Sequence, residues 1–574
     1  MRSLPRVVAP AVAVAGAVGL AVGCAAPSPD AAPTPLTSRF QAAEKSAPPE
    51  VDLLGLLLDD PSAPIPLELL PGFGAAAAVG DAARSRPMVG SSGELVWSVI
   101  GTNGPSTPVA WGESDSYTEV PGVLTFRGNH HRDAPAWGSP TVTEKKLEVE
   151  WTHPITSVEA YDWTWPGAGW TGQPLLVNWP EDSRAAMGFD EPFASDPGFV
   201  EVLYPVFGGV VHRLDLATGR VTKPLIEGAC PFKGTGSVDP RGWPLLYAGQ
   251  GLPDRDGVKC PWRFRIFDLV EGREVSGWAG PDPDAPRAGW GAFDASALVH
   301  APTGVLFEGG ENGLIYKADL RASFDPATGA AAVDPELTKV RYRAPDSARH
   351  GIEGSPAAYR NLVFTQDNDG ILAAWDATTL ANVWARATGD DADATIVVEP
   401  GTDRVGAWLY VGNEIDHRGA GGVTNLRKVD ALTGEVAWQH DEPAIHDEAT
   451  NGGLVATPLL GAGQAAGLVI FNVARTTGYG GALVALDIAT GAVEWRRDLA
   501  AYSWSSPIGI MSTDGLQYGV FCDSAGIMHL FDPSTGADFD AISIGGNTEA
   551  SPAAYGNMIV VANYSLKIYG VRVT

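Results

Sequence analysis

From about Tyr117 onward the chain alternates short apolar runs with Gly-, Asp- and Thr-rich punctuation. "LVIFNV" followed by "GALVAL", and "LVFTQD" followed by "GILAAW", are pairs of such runs. Brief runs rich in β-branched residues and bounded by turn formers predict strands rather than helices. A small residue with proline leads into these pairs, in "EGSPAAY" at Glu353, "VATPLL" at Val455, "WSSPIGI" at Trp504 and "EASPAAY" at Glu549. An Asp and then Thr-Gly follow in the clearest copies: "VALDIATGAVEWRRDL" from Val484, "KVDALTGEVAWQHD" from Lys428, "HRLDLATGRV" from His212 and "HLFDPSTGADF" from His529.

The repeating unit is thus a lead-in strand, a second strand, a third ending at the Asp and a fourth carrying a Trp. The aspartates fall at Asp215, Asp268, Asp319, Asp376, Asp430, Asp487 and Asp532. A spacing of roughly fifty residues signals a solenoid or propeller, and four-stranded antiparallel units are propeller blades. The phrase has a structural rationale. Asp487 can accept N–H groups in the turn, and Gly491 supplies a positive φ. Trp495 can then lie across the neighbouring blade, where burying the indole contributes about 1.5–3 kcal/mol or more. The motif builds a scaffold and performs no chemistry.

The last complete unit surrounds Asp532, and "ASPAAYGNMIVVANYSLKIYGVRVT" then supplies three strands without a fourth. "KLEVEWTHP", with Trp151 at the docking position, can supply it from upstream. The expected fold is all-β: an eight-bladed β-propeller of four-stranded antiparallel blades over 117–574, its last blade completed by an N-terminal strand. Such closure removes two open sheet edges.

The "ALD-x-x-TG-x-x-x-W" pattern and the opening "LTFRGNHHRDAPAWG" from Leu124 resemble the PQQ-repeat propellers, the quinoprotein alcohol dehydrogenase-like superfamily. The resemblance implies the fold and leaves two branches of function. One holds pyrroloquinoline quinone (PQQ) and calcium and oxidises alcohols. The other contains lipoproteins such as the outer-membrane assembly factor BamB, which act through protein contacts without a cofactor. Many of the dehydrogenases carry adjacent cysteines over the quinone; this chain has none, and their Glu, Asn and Asp constellation is not assembled from matching motifs. The architecture is BamB-like, no catalytic residue is assigned and no cofactor is expected. PQQ and calcium belong to the alternative reading.

Composition narrows the partners. A net charge of -29 repels nucleic acid and anionic lipid headgroups. Arg2 and Arg6 precede an apolar run ending in "AVGC". Residues 1–23 therefore read as a lipoprotein signal peptide and Cys24 as the acylated residue. The expected location is extracytoplasmic, lipid-anchored to the bacterial cell membrane. Residues 24–116, rich in Ala, Pro and Ser, are expected to form a tether, with an apolar segment at 51–74 docking on the body. Cys230 and Cys260 are expected to form a disulfide, which an exported chain permits, leaving Cys522 as a buried thiol.

In a propeller, the loops before the innermost strands and after the second strands share one face. The first set offers His350, Glu353, Asp391, Asp393, Asn451, Trp504 and Glu549. The second offers Glu311, Asn312, Asp367, Asp369, Glu414, Asp416, His417, Arg475 and Asp523. The expected ligand or partner residues at this channel mouth are His350, Glu353, Asp391, Asp393, Glu414, Asp416, Arg475, Trp504 and Glu549. "TQDNDG" and "GDDADAT" make Asp367, Asp369, Asp391 and Asp393 candidate ligands for a hard cation; the bland alternative is turn capping. Trp163, Trp165 and Trp170 either stack on a sugar or partner, or pack over the first blade. His130 and His131, read as consecutive strand residues, point to opposite faces and make a poor joint metal site. Arg127 is expected to bond to backbone carbonyls.

The preferred reading is a membrane-anchored, monomeric propeller serving as a non-catalytic binding or assembly scaffold for a protein partner or cell-envelope component. The alternatives are a PQQ- or metal-dependent oxidoreductase with an atypical site, and a carbohydrate or cell-wall binder.

Overall fold

The computed structural model describes residues 60, 62–70, 83–101, 108–169, 172–402, 405–447 and 450–574. Eight blades of mainly four antiparallel strands surround a common axis. Blade four is representative: Ala357–Tyr359 lies innermost, then Leu362–Thr365, Ile371–Asp376 and Asn382–Ala387. In blades two and four to seven the pairing of third and fourth strands shifts register near the turn, as between Ala485 and Leu486. A bulge there sharpens the twist where the outer strand leaves the turn.

Closure follows the sequence expectation. Leu147–Pro154 pairs antiparallel with Lys567–Val573 and completes blade eight. Its Trp151 donates from Nε1 to the Leu216 carbonyl of blade one at 2.8 Å. The same bond recurs from Trp384 to Ala431 O at 2.9 Å, from Trp438 to Ile488 O at 2.9 Å and from Trp495 to Pro533 O at 3.1 Å. The turn aspartates behave as Asx caps: Asp487 Oδ1 accepts from Thr490 N at 2.7 Å and Thr490 Oγ1 at 2.6 Å.

The axis is filled. Leu124–Trp137 runs along it and bonds to every blade. Arg127 N donates to Gln173 Oε1 of blade one at 2.8 Å, and Val238 N of blade two donates to Leu124 O at 2.7 Å. Arg132 reaches Ser296 O of blade three at 2.8 Å and Pro356 O of blade four at 2.9 Å. Val398 N of blade five donates to His131 O at 2.9 Å. Arg127 reaches Pro458 O of blade six at 3.0 Å and Pro507 O of blade seven at 2.6 Å. Ala136–Trp137 pairs in parallel with Ala553–Tyr555 of blade eight.

Hydroxyls knit the innermost strands around this plug. Ser296 N donates to Ser355 Oγ and Ser355 N to Thr395 Oγ1, each at 2.9 Å. Thr457 N donates to Ser506 Oγ at 2.9 Å and Ser506 N to Ser551 Oγ at 3.1 Å.

Three expectations need correction. The stretch taken as tether to residue 116 does not remain apart from the body. Arg84–Pro87 and Glu94–Gly101 form a hairpin that extends blade three beyond its outer strand Glu336–Arg343. The alternating pattern of "ELVWSVI" buries Leu95, Trp97 and Val99 there. Second, His130 and His131 lie in a turn-rich segment, not on a strand, so strand alternation does not separate them; their ring centroids are 4.4 Å apart. Third, the mouth does not open into an unobstructed channel, because the plug occupies the axis.

The described part of the apolar segment packs on the face opposite the mouth. Ile65 N donates to Asn361 Oδ1 at 2.7 Å, and Arg360 Nη1 donates to Asp60 O at 2.9 Å and Ala63 O at 3.0 Å. The signal-peptide region, Cys24 and Trp170 lie outside the described residues. Among the described residues no helix is long and apolar enough to cross a membrane.

Candidate functional site

The site is built from the loops that lead into the innermost strands of blades two to five, with those following the second strands of blades three and five. Register with the axial hydroxyls places its residues. Two positions before Ser296, Ser355, Thr395 and Ser551 stand Asp294, Glu353, Asp393 and Glu549; four positions before Ser237 and Thr395 stand Lys233 and Asp391. Because the hydroxyls are held at the axis, these side chains gather around it on one face.

Two neighbouring carboxyl trios result. Asp294, Glu311 and Glu353 bring one oxygen each within 4.8 Å of one another, as do Asp391, Asp393 and Glu414. Lys233 serves the first trio: it pairs with Asp294 and lies 3.5 Å from both Glu311 and Glu353. Burial alone would lower its pKa, yet Asp294, Glu311 and Glu353 hold it well above the lysine range. Glu311, pushed up to about 7 by burial and by Asp294, accepts a 2.6 Å bond from Trp290 Nε1. Asn368 Nδ2 donates to Glu353 Oε1 at 2.8 Å.

In the second trio burial raises all three carboxyls; the charge of Glu414 raises Asp391 further and that of Asp391 raises Asp393, whereas hydrogen bonds with Asn451 and Asp393 draw Glu414 back. Glu353 adds to the repulsion, so the two trios feel each other. The loops are fastened by a backbone bond from Glu414 N to Asp391 O at 2.9 Å.

The other expected residues divide by what holds them. His350 has its N–H on Asp369 Oδ2 at 2.8 Å. Asp416 pairs with His417 at 2.7 Å. Arg475 turns to Asp447 Oδ2 at 2.9 Å and the Thr450 carbonyl at 2.7 Å. Trp504 is only 5% exposed and packs beside Tyr502. Glu549 accepts from Tyr564 Oη at 2.7 Å and Asn547 Nδ2 at 2.8 Å.

Asp367 and Asp369 do not join Asp391 and Asp393 in one group, because Asp367 caps its own turn and Asp369 caps the facing loop at residues 348–350. Asp369 receives N–H groups from Ala348, Arg349 and His350. Asp367 receives those of Asp369 and Ile371 and the Tyr342 hydroxyl. The residues missing from the expected set are Lys233 and Asp294. Counting back from the hydroxyls finds both, but the cysteine-bearing segment hides that register around Lys233. Cys230 and Cys260 are disulfide-bonded, with Cα atoms 5.6 Å apart. Cys522 is a buried free thiol.

The mouth is not built for a free tricarboxylate quinone such as PQQ. Carboxyl groups dominate it, and Lys233 is already engaged by three of them. A tricarboxylate therefore finds the Lys233 ammonium already committed and would add charge to a lining where burial already disfavours it.

Eight four-stranded blades with a hydrogen-bonded axis and Asp-turn seams define the class, a closed β-propeller. Residues 322–539 match the family model described as outer membrane protein assembly factor BamB, and the chain is a PQQ-repeat β-propeller. Among solved structures, it is similar to BamB from Moraxella catarrhalis (16% identity, TM-score 0.43, 69% of this chain and 98% of that one). It is also similar to quinohemoprotein alcohol dehydrogenases. That of Pseudomonas putida gives 13% identity and TM-score 0.49, covering 79% of this chain and 80% of that one. That of Comamonas testosteroni gives 14% identity and TM-score 0.46 over the same shares. No curated protein matches the sequence.

Proposed function

We propose that the protein is an envelope-tethered, non-catalytic binding scaffold whose acidic mouth receives a basic segment of a protein partner. The observation that carries this reading is the convergence of two buried carboxyl trios on one face, only one of them served by Lys233. The family match to an outer-membrane assembly factor supports an envelope setting and a protein partner. The "AVGC" sequence supports acylation at Cys24, with 1–23 as signal peptide, 24 to about 83 as tether and the remainder as the propeller and its attached hairpin. The packed arm at Asp60–Leu70 supports an orientation in which the mouth faces away from the anchored surface.

The test is site-specific photocrosslinking in cells. A photoreactive residue at Asp416 is expected to capture an envelope protein, whereas one at Asp514 on the opposite face is not. Charge reversal by Glu353→Lys should abolish capture. Dye-linked alcohol oxidation after reconstitution with PQQ and calcium would overturn the reading.

Saccharide binding has one observation in its favour: Trp163 is 39% exposed on the hairpin Ser157–Pro166. A polysaccharide pull-down lost on Trp163→Ala would support it.

A further inference from the structure

We propose that Asp391, Asp393 and Glu414 form a calcium site at the mouth. Asp391 and Asp393 come from the loop before Val397–Pro400, and Glu414 from the end of the loop after Ala407–Val411. Their exposures are 7%, 8% and 3%, so each is more than nine-tenths buried. Their oxygens converge within 4.8 Å. Independently of that clustering, Oδ1 of Asp391 and Oδ1 of Asp393 have no hydrogen-bond partner among the described residues.

Burying unpaired carboxylate oxygens is costly, and neighbouring acids show how the fold normally offsets that cost. Asp390 accepts the His417 N–H at 2.7 Å. Asp367 and Asp369 are satisfied by turn N–H groups. Asp294, Glu311 and Glu353 share the Lys233 ammonium. The trio of Asp391, Asp393 and Glu414 has the charge and the convergence of the lysine-filled one, with oxygen atoms still open.

An all-oxygen donor set of carboxylates selects a hard cation. Three buried side chains from two loops suit calcium, which accepts six to eight oxygens in variable geometry, better than magnesium, which keeps most of its waters. The backbone bond from Glu414 to Asp391 fixes the loops before the ion arrives. The proposal rests on the mouth being a binding site but requires neither a quinone nor a partner.

The test is calcium chloride titrated calorimetrically into the chelator-stripped full-length protein, with melting followed in chelator and in calcium. Wild type should bind one calcium per chain and melt higher in calcium. Asp391→Asn with Asp393→Asn removes like charges, so in chelator this variant should melt at or above wild type. In calcium the order should reverse, with affinity lowered by about tenfold or more. Glu414→Gln should repeat the pattern. Absence of binding in wild type, undiminished binding in the double variant, or an equal response to magnesium would overturn the assignment. Lost photocrosslinking with calcium binding intact would sink the scaffold reading alone; capture without calcium binding would sink this inference alone.

Discussion

Trp151 and Leu216 hold the ring shut. The indole of Trp151, on the strand that completes blade eight, donates to the Leu216 carbonyl of blade one at 2.8 Å. Its ring covers Gly219, where an added Cβ would lie 2.5 Å from the indole. One side chain therefore seals the seam between the two ends of the domain. Trp151→Ala should cost about 3–5 kcal/mol in urea unfolding. Amide exchange should accelerate in Leu147–Pro154 and Lys567–Val573 more than in other blades. Trp438→Ala, at an interior seam, should lose comparable stability without that localised exchange. Uniform exchange in both variants would refute the closure role.

Gly491 and Gly272 separate two reasons for a turn glycine. Both have positive φ, +74° and +64°. An added Cβ at Gly491 would stand 2.7 Å from the Trp438 ring, whereas at Gly272 it would meet nothing within 4 Å. Gly272→Ala should cost about 1 kcal/mol, the backbone penalty alone. Gly491→Ala adds a packing clash of about 1–3 kcal/mol. Equal urea midpoints would show that the indole does not need the glycine.

That double role explains what the sequence reveals and what it hides. Asp, Gly and Trp act within or between adjacent units, so their spacing exposes the blades and the closing strand. Blade four breaks the phrase: Leu380, with φ 59°, stands where the turns of Asp215, Asp268, Asp430, Asp487 and Asp532 have glycine. Its predecessor, Glu336–Arg343, brings no Trp to be seated, and Leu380 instead packs in the cluster with Trp97, Val340 and Tyr342. The hairpin Arg84–Gly101 was illegible because its partner strand lies far along the chain and is decided by edge pairing. "FRGNHHRD" gives no periodicity at all, since its order comes from bonds to six different blades. At the mouth, acidic loops were legible one by one. Which of them would meet Lys233 depended on the register of the axial hydroxyls.

Arg127 tests the plug. Its guanidinium donates to Arg132 O at 3.1 Å, Pro507 O at 2.6 Å and Pro458 O at 3.0 Å. Burial draws its pKa down to about 9, so it remains charged at neutral pH. Arg127→Met leaves three buried carbonyls without these donors, at about 1–3 kcal/mol each before relaxation. The expected result is loss of several kcal/mol and a broadened melt as blades six and seven loosen from the axis. Arg127→Lys keeps the charge but not the fork and should recover only part of the loss. An unchanged, sharp melt for Arg127→Met would show that the ring is held without its plug.

Glu549 gives the pH dependence. Burial raises its carboxyl from 4.5 to about 7, opposed by bonds from Tyr564 and Asn547 and by the charge of Lys233. Tyr502, on the neighbouring loop, also feels its charge. An acid with a raised folded-state pKa keeps its proton in the folded chain over a range in which the unfolded chain releases it. Folding stability from this group is therefore intact below about pH 4.5 and declines as pH rises through 7. Glu549→Gln removes the titration while preserving shape. Its unfolding free energy in urea, relative to wild type, should rise from pH 5 to pH 8, reaching on the order of 2–3 kcal/mol. A difference that stays flat across that interval would mean that Glu549 is solvated and ordinary, and that the mouth around Tyr564 is wetter than its packing implies.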